Sequence, residues 1–555
     1  MKTPRAWRGL KKFKLIGGDQ MNASSKSKVD VVVVGAGFAG LYALHTLRNK
    51  GYSVQVYEAG AGIGGTWYWN RYPGARCDIE SIEYSYSFSE ELQQEWNWSA
   101  RYATQPEILA YMNHVADRFD LRKNIQLETR VVSAKFDDST SRWDITTNTG
   151  DKVNCQFVIM ATGSLSTPKK LDIEGIDNFK GDQLHTAYWP EKGYDFAGKR
   201  VGIIGTGSSA IQAIPIIAKQ AKHLTVFQRT PNFSIPAWNY ELSDEERQQL
   251  KENYKQLRQN EWKSQIGIVR LTPRTESALE VSEEERLKEF EARWNFGGIS
   301  FYSSFPDLLI NEESNKLVAD FVRNKIRQKI NDPKVAEMLI PKGYPFGAKR
   351  LCADTNYYET YNLPHVKLVD VKATPFVKFT PLGLQTTDGF HELDVLITAT
   401  GFDALTGTLN NIEITGRYGE VLKDKWKDGP RTYLGIMIAG FPNMFMTTGP
   451  GSPSVLFNMV LGNEYHVNWI SRAIDDVRSK GAQTIEAKIE SEDEWSTHVT
   501  EVGNQTLFPK ANSWYVGANV PGKPRVILLY LGGFQGYSQR CEQEVKNGYT
   551  GCVIA

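Results

Sequence analysis

Val29-Asp-Val-Val-Val-Val34-Gly35-Ala-Gly37-Phe-Ala-Gly40 reads as an apolar strand running into a glycine-rich turn, with a helix from Leu41 to Asn49 behind it. Strand, GxGxxG and helix in that order are the signature of a dinucleotide-binding fold. Each glycine has its own reason. Gly35 permits the tight turn, Gly37 lets the backbone approach a pyrophosphate, and Gly40 lets the helix pack close, with its N–H groups facing the phosphates. The next strand, Ser53-Val-Gln-Val-Tyr57, ends in Glu58. A carboxylate there grips a ribose diol and repels a 2′-phosphate, so the expected occupant is FAD or NAD.

Further along, the pattern returns with the opposite charge. Arg200-Val-Gly-Ile-Ile204 leads into Gly205-Thr206-Gly207-Ser208-Ser209-Ala210, and the following strand, Leu224-Thr-Val-Phe-Gln228, ends in Arg229-Thr230. A guanidinium and a hydroxyl at that position suit a phosphate, so this fold is expected to take NADP, with Gln212 on its first helix among the contacts. Two more apolar strands, Phe157–Ala161 and Val395–Ala399, each run into Thr-Gly and read as crossings between the two folds. The fold class is therefore α/β, with two Rossmann-like domains. The FAD domain is discontinuous, the NADP domain is inserted, and a helical insertion follows. The expected divisions are a flexible basic tail over 1–28, FAD domain 29–157 and 391–555, NADP domain 158–240 and 341–390, and the insertion over 241–340. Ser243-x-x-Glu246 and Ser282-x-x-Glu285 read as capping boxes that open helices of the insertion.

Composition narrows the functions. The chain has 555 residues, 41% apolar and 23% charged, with a net charge of +1. That is a globular protein of two or three domains with no basic stripe for nucleic acid. No apolar run reaches the roughly eighteen residues of a membrane span. The basic residues 1–28 lack the apolar stretch of a secretory signal, so a cytoplasmic location is expected. Five scattered cysteines without a CxxC pair suit a reducing compartment and argue against a flavin disulfide reductase. Cys552-Val-Ile-Ala555 fits a prenylation box in form and is read as a last apolar strand or tail. No metal ligand set is expected.

Two longer stretches carry a family resemblance. Gly64-Gly65-Thr66-Trp67-Tyr-Trp-Asn-Arg-Tyr72-Pro73-Gly74-Ala-Arg76-Cys77-Asp78 resembles a fingerprint of the type I Baeyer–Villiger monooxygenases. Phe179-Lys-Gly181-Asp-Gln-Leu-His185-Thr-Ala-Tyr-Trp189-Pro190 matches that family's FxGxxxHxxxWP pattern at every position. The resemblance runs from about residue 29 to the end, and is nearest to the phenylacetone and then the cyclohexanone type. It implies FAD, NADPH and O2, with one oxygen atom inserted beside the carbonyl of a small apolar ketone through a peroxide on the flavin C4a carbon. Sulfide oxidation is implied as a side activity, and a monomer is expected.

The resemblance also assigns residues. Arg350, in Gly343-Tyr-Pro-Phe-Gly-Ala-Lys349-Arg350-Leu351, is implied as the cation over the flavin, with Asp78 as its paired carboxylate. Arg suits the task because it stays protonated at any working pH. FAD contacts are implied for Gly65, Thr66, Trp67, Asp78, Tyr84, Val131 and Met459, beside Gly35, Gly37, Gly40 and Glu58. NADP contacts are implied for Arg76, Lys349, Arg350 and Trp514. His185 is read as a hinge residue and not a general base. Leu456 and Phe457, in the loop Gly449–Met459, are expected to line the ketone pocket. Two alternatives stay open: an N- or S-oxidising flavin monooxygenase, separated by its products, and a non-catalytic redox-sensing flavoprotein, separated by whether NADPH bleaches the flavin.

Overall fold

Valine is stiff at Cβ and favours the extended chain. The strand Ser27–Val34 is accordingly deeply buried at its end, with Val31, Val32 and Val33 fully enclosed. The computed structural model describes residues 27–269 and 274–555. Ser27 and Lys28 already pair with Val153 and Asn154, so the first strand starts two residues inside the stretch expected to be tail. The rest of that tail lies outside the described residues.

Ser27–Val34 is flanked by two parallel neighbours, Val54–Tyr57 and Lys152–Met160. Lys152–Met160 also closes an antiparallel meander with Val131–Asp137 and Arg142–Thr147. Ile125–Gln126 pairs beside Val54–Tyr57, and two strands from far along the chain complete the eight-stranded sheet: Glu413–Thr415 beside Val131–Asp137, and Met444–Met446 beside Lys152–Met160. The first sheet is thus assembled from separate parts of the sequence.

The second sheet is all parallel, in the order Val366–Asp370, His223–Gln228, Arg200–Ile204, Val395–Thr398, Asp182–His185. This corrects two expected boundaries. The division at 157 falls inside the strand Lys152–Met160, and the return at 391 comes too early, because Val395–Thr398 belongs to the second sheet. An apolar run ending in Thr-Gly says that a strand ends there but not which sheet holds it.

The two crossings are built alike. A Cβ on Gly35, whose φ is +107°, would lie 2.5 Å from the carbonyl oxygen of Ala161; one on Gly205, with φ of +120°, would lie 2.4 Å from that of Ala399. Each glycine turn passes directly over the end of the neighbouring strand. Gly40 is tighter still, since its Cβ would sit 1.9 Å from the Gly35 carbonyl oxygen, whereas a Cβ on Gly207 meets nothing within 4 Å. Gly40→Ala is therefore expected to destabilise the protein by about 3 kcal/mol through forced backbone movement. Gly207→Ala should leave the melting temperature in place. Equal melting curves for the two variants would refute this account of the turns.

Both capping boxes form, at Ser243 with Glu246 and at Ser282 with Glu285. The helices they open belong to the stretch expected as an insertion, which is not a solvated decoration. Phe290, Trp294, Val318, Val322 and Ile326 share one core with Val201, Ile203 and Ile214 of the second nucleotide fold. Toward the first fold, the buried Arg258 donates to Ser85 Oγ at 2.7 Å and to the Ile82 carbonyl at 3.0 Å, with Glu261 as its ion-pair partner at 2.8 Å. At the other end of the chain, Cys552 is buried in the strand Cys552–Ile554, which pairs with Ile485–Ala487.

Candidate active site

The fingerprint stretch makes the site by crossing from one fold to the other. Gly74, at φ +80°, lies against the helix Ser208–Ala218, where a Cβ would come within 2.5 Å of the Gln212 carbonyl oxygen. The Gln212 side chain fastens the crossing. Its oxygen accepts from the Tyr72 hydroxyl at 2.8 Å and the Arg76 N–H at 3.4 Å, and its amide donates to the Arg76 carbonyl at 3.1 Å. Gln212, expected among nucleotide contacts, thus spends its side chain joining the folds. Arg76 is half-buried, and burial lowers its pKa.

Two residues beyond Arg76, Asp78 meets Arg350. Nε donates to Oδ2 at 2.9 Å and Nη2 to Oδ1 at 2.7 Å, a bidentate pair between residues 272 positions apart. Nη1 donates to the Val455 carbonyl at 2.9 Å. Burial works against the charged guanidinium, but Asp78 outweighs it and holds Arg350 well above its ordinary pKa. Five N–H groups make up a guanidinium. Three are engaged here, so two N–H groups of this permanently charged fork have no partner among the described residues.

Around the first glycine turn, Glu58 is 5% exposed. Its oxygens accept from the backbone N–H groups of Ala36 and Gly60, each at 2.8 Å. Burial raises its pKa while those two bonds pull the other way. The carboxylate is fixed in direction and keeps spare lone pairs for a diol. Gly37 and Gly65 approach so closely that a Cβ on Gly65 would lie 2.9 Å from the Gly37 Cα. Such bare backbone is what a pyrophosphate needs. Thr66 opens the short helix Thr66–Trp69 behind Gly65. The Trp67 indole N–H donates to Tyr84 Oη at 3.3 Å, and Tyr84 stands edge-on to Phe38. Val131 is buried in its strand, and Met459 begins the long helix Met459–Ser479 capped by Asn458.

At the second turn, Thr206 Oγ1 donates to the Thr230 carbonyl at 3.0 Å, and Ser208 Oγ lies 3.1 Å from Cys352 Sγ. Ser209 lies one residue further into the helix, against Tyr72. Arg229 follows the strand His223–Gln228 and is exposed. Lys349 and Lys169 lie close enough to feel it: burial first, and then the Arg229 charge, lowers the pKa of both lysines. Among the described residues neither Arg229 nor Lys349 has a carboxylate at ion-pair distance, whereas Lys169 feels the charge of Asp403 as well as that of Arg229. Sequence reasoning missed Lys169. It lies between the two fingerprints, and nothing in Pro168-Lys-Lys-Leu171 distinguishes it from its neighbour Lys170.

Other expected residues sort by packing. Leu456 and Trp514 share one apolar cluster with Val455. Phe457 is packed as core: it is 3% exposed and stacked on Phe534 at 3.9 Å. His185 Nδ1 accepts from the Ala187 N–H at 3.0 Å, capping a short turn, and burial lowers its pKa to about 4. It lies at the end of its strand, Asp182–His185. All five cysteines are buried free thiols, and burial pushes Cys352, beside Arg350, up to about 12. Among the described residues no cluster of His, Cys, Asp or Glu could hold a metal ion, and no helix is long and apolar enough to cross a membrane.

Residues 32–291 match the family model described as pyridine nucleotide-disulphide oxidoreductase. The chain is 43% identical to a Baeyer–Villiger monooxygenase of Pseudooceanicola batsensis over 94% of its own length and 96% of that protein. The chain belongs to the Baeyer–Villiger monooxygenase family. The fold of this monooxygenase superposes on a solved steroid monooxygenase bound to NADP with a TM-score of 0.92 and 51% identity, covering 95% of this chain and 99% of that one. A phenazine N-monooxygenase of Lysobacter antibioticus is 42% identical over 96% of the monooxygenase chain and 98% of its own. Overall identity therefore does not distinguish oxygen insertion at carbon from oxidation at nitrogen. The residues around Arg350 have to carry that distinction.

Proposed function

We propose that this monooxygenase converts small apolar ketones to esters or lactones with FAD, NADPH and O2, and that it oxidises sulfides more slowly. The bidentate Arg350–Asp78 pair carries the reading. A fork that is always charged and held half-buried is what an attacked carbonyl requires as its oxygen gains negative charge. Oxidation of an amine or sulfide develops no such charge and has no use for it.

A bound flavin supplies the chemistry that activates O2 after taking a hydride from NADPH. The protein's residues bind, orient and shelter. Gly35, Gly37, Gly40 and Gly65 leave room for the flavin nucleotide's pyrophosphate, and Glu58 takes its ribose hydroxyls. Trp67, Tyr84, Val131 and Met459 pack around it. Gly205, Gly207 and Ser208 would face the second nucleotide, and Arg229, Thr230, Lys349 and Lys169 would hold its 2′-phosphate. Leu456 and Trp514 close an apolar wall beside Arg350 and keep water out. Asp78 directs the guanidinium and leaves two of its N–H groups for the reacting oxygen. The first sheet with its distant strands is the flavin domain, and the second sheet is the NADP domain.

A panel of ketones with NADPH under ¹⁸O-labelled dioxygen tests this reading. One labelled atom should enter the ester linkage of the product. Label confined to sulfoxides or N-oxides, with every ketone untouched, would replace it with the N- or S-oxidising alternative.

A further inference from the structure

Tyr515 follows Trp514 in the short turn Trp514–Val516 and is 2% exposed. Its ring centroid lies 4.3 Å from that of Trp514 and 5.4 Å from that of Phe508. The cluster it occupies also holds Val455 and Leu456, and Val455 is the residue whose carbonyl takes the third bond from Arg350. The Tyr515 hydroxyl is buried with no hydrogen-bond partner among the described residues. Its charged surroundings are those of the site, since Tyr302, Arg350 and Asp78 all act on it, and Arg350 feels Tyr515 in return.

A buried hydroxyl left without a partner costs about 1–3 kcal/mol, so native proteins rarely keep one idle. Tyr302, the other phenol beside Arg350, has its partner: it accepts the Leu351 N–H at 3.1 Å. Tyr515 has none. Burial holds its pKa well above the ordinary phenol value, so it remains O–H at any working pH and can donate to an oxygen. It shares a cluster with Val455, whose carbonyl holds Arg350, and that cation has two N–H groups with no partner among the described residues.

We propose that Tyr515 donates a hydrogen bond to the carbonyl oxygen of the ketone, so that this oxygen is held between the phenol and Arg350 as the carbonyl is attacked. The inference rests on the ketone reading above and deepens it. A sulfide offers no carbonyl oxygen and should not notice the phenol.

The test uses full-length, FAD-loaded Tyr515→Phe, with cyclohexanone and methyl phenyl sulfide as probes. Ester formation should fall on the order of 10²-fold, as when one donor to a developing oxyanion is removed. Sulfoxide formation and bleaching of the flavin by NADPH should be unchanged. The infrared C=O band of ¹³C-labelled cyclohexanone bound to the oxidised enzyme with NADP⁺ should move to higher wavenumber in the variant. Should Tyr515→Phe fail to fold, Tyr515→Leu should show the same ketone-selective loss. Parallel losses on ketone and sulfide, or unchanged ester formation with an unmoved band, would overturn the proposal. So would a raised KM for NADPH with ester formation intact, which would assign the hydroxyl to the nucleotide. If the unsubstituted enzyme makes sulfoxide but no ester, the ketone reading itself has failed and the inference falls with it.

Discussion

Arg350→Ala is expected to purify with FAD, to be bleached by NADPH, and to lose nearly all of its ester formation. The loss should be on the order of 10²–10³ in rate, the cost of removing one donor that acts on charge developing in the transition state. The geometry explains why the loss should be selective. Arg350 is tied to Asp78 by two bonds and to the Val455 carbonyl by a third. Nothing in those contacts reaches the glycine turns, so nucleotide binding should survive. Arg350→Lys separates charge from shape. It keeps a point charge but cannot form the fork with Asp78 or leave two N–H groups in one plane. It should recover only part of the activity. Ketone oxygenation by Arg350→Ala at the normal rate would remove Arg350 from the mechanism.

Loss of the phosphate-binding cations should have the next largest effect, and it should fall on one reductant only. Arg229→Ala is expected to raise the KM for NADPH roughly 10- to 100-fold, the equivalent of a charge-assisted hydrogen bond worth about 1.5–3 kcal/mol. The KM for NADH should not move, because NADH has no 2′-phosphate to lose. The kcat at saturating NADPH should hold, as for an interaction made equally in ground and transition states. Lys169→Ala should act in the same direction, since Lys169 and Lys349 both feel the charge of Arg229. Steady-state kinetics with the two reductants decide the matter. Equal increases for both would mean that the cations hold the fold and not the phosphate.

Some of this was legible in the sequence, and for local reasons. Gly35, Gly40 and Gly205 announce themselves because strand, GxGxxG and helix follow one another in a short local pattern, although the carbonyls that exclude a Cβ at Gly35 and Gly205 come from the distant Ala161 and Ala399. The contrast between Glu58 and Arg229 was legible for the same reason. Ser243 and Ser282 likewise carry their capping partners three residues away. What escaped depends on distant approach. Val395–Thr398 looks alike whichever sheet receives it. Gln212 sits where a nucleotide contact is expected, but the Tyr72–Arg76 stretch arrives to use its side chain. That Phe457, expected in the pocket wall, stacks on Phe534 is set by two residues far apart in the chain. Tyr515 could be seen only as the neighbour of Trp514, because its missing partner is a property of three dimensions. The Asp78–Arg350 pair was reachable only through family resemblance. No pattern of spacing links two residues 272 positions apart.

The most direct test is a crystal structure of the enzyme with FAD and NADP⁺ bound. The guanidinium of Arg350, still paired to Asp78, should lie in contact with the isoalloxazine, with its two free N–H groups directed at the space where a ketone fits. A guanidinium turned away from the flavin, with ordered water filling the gap, would contradict the account.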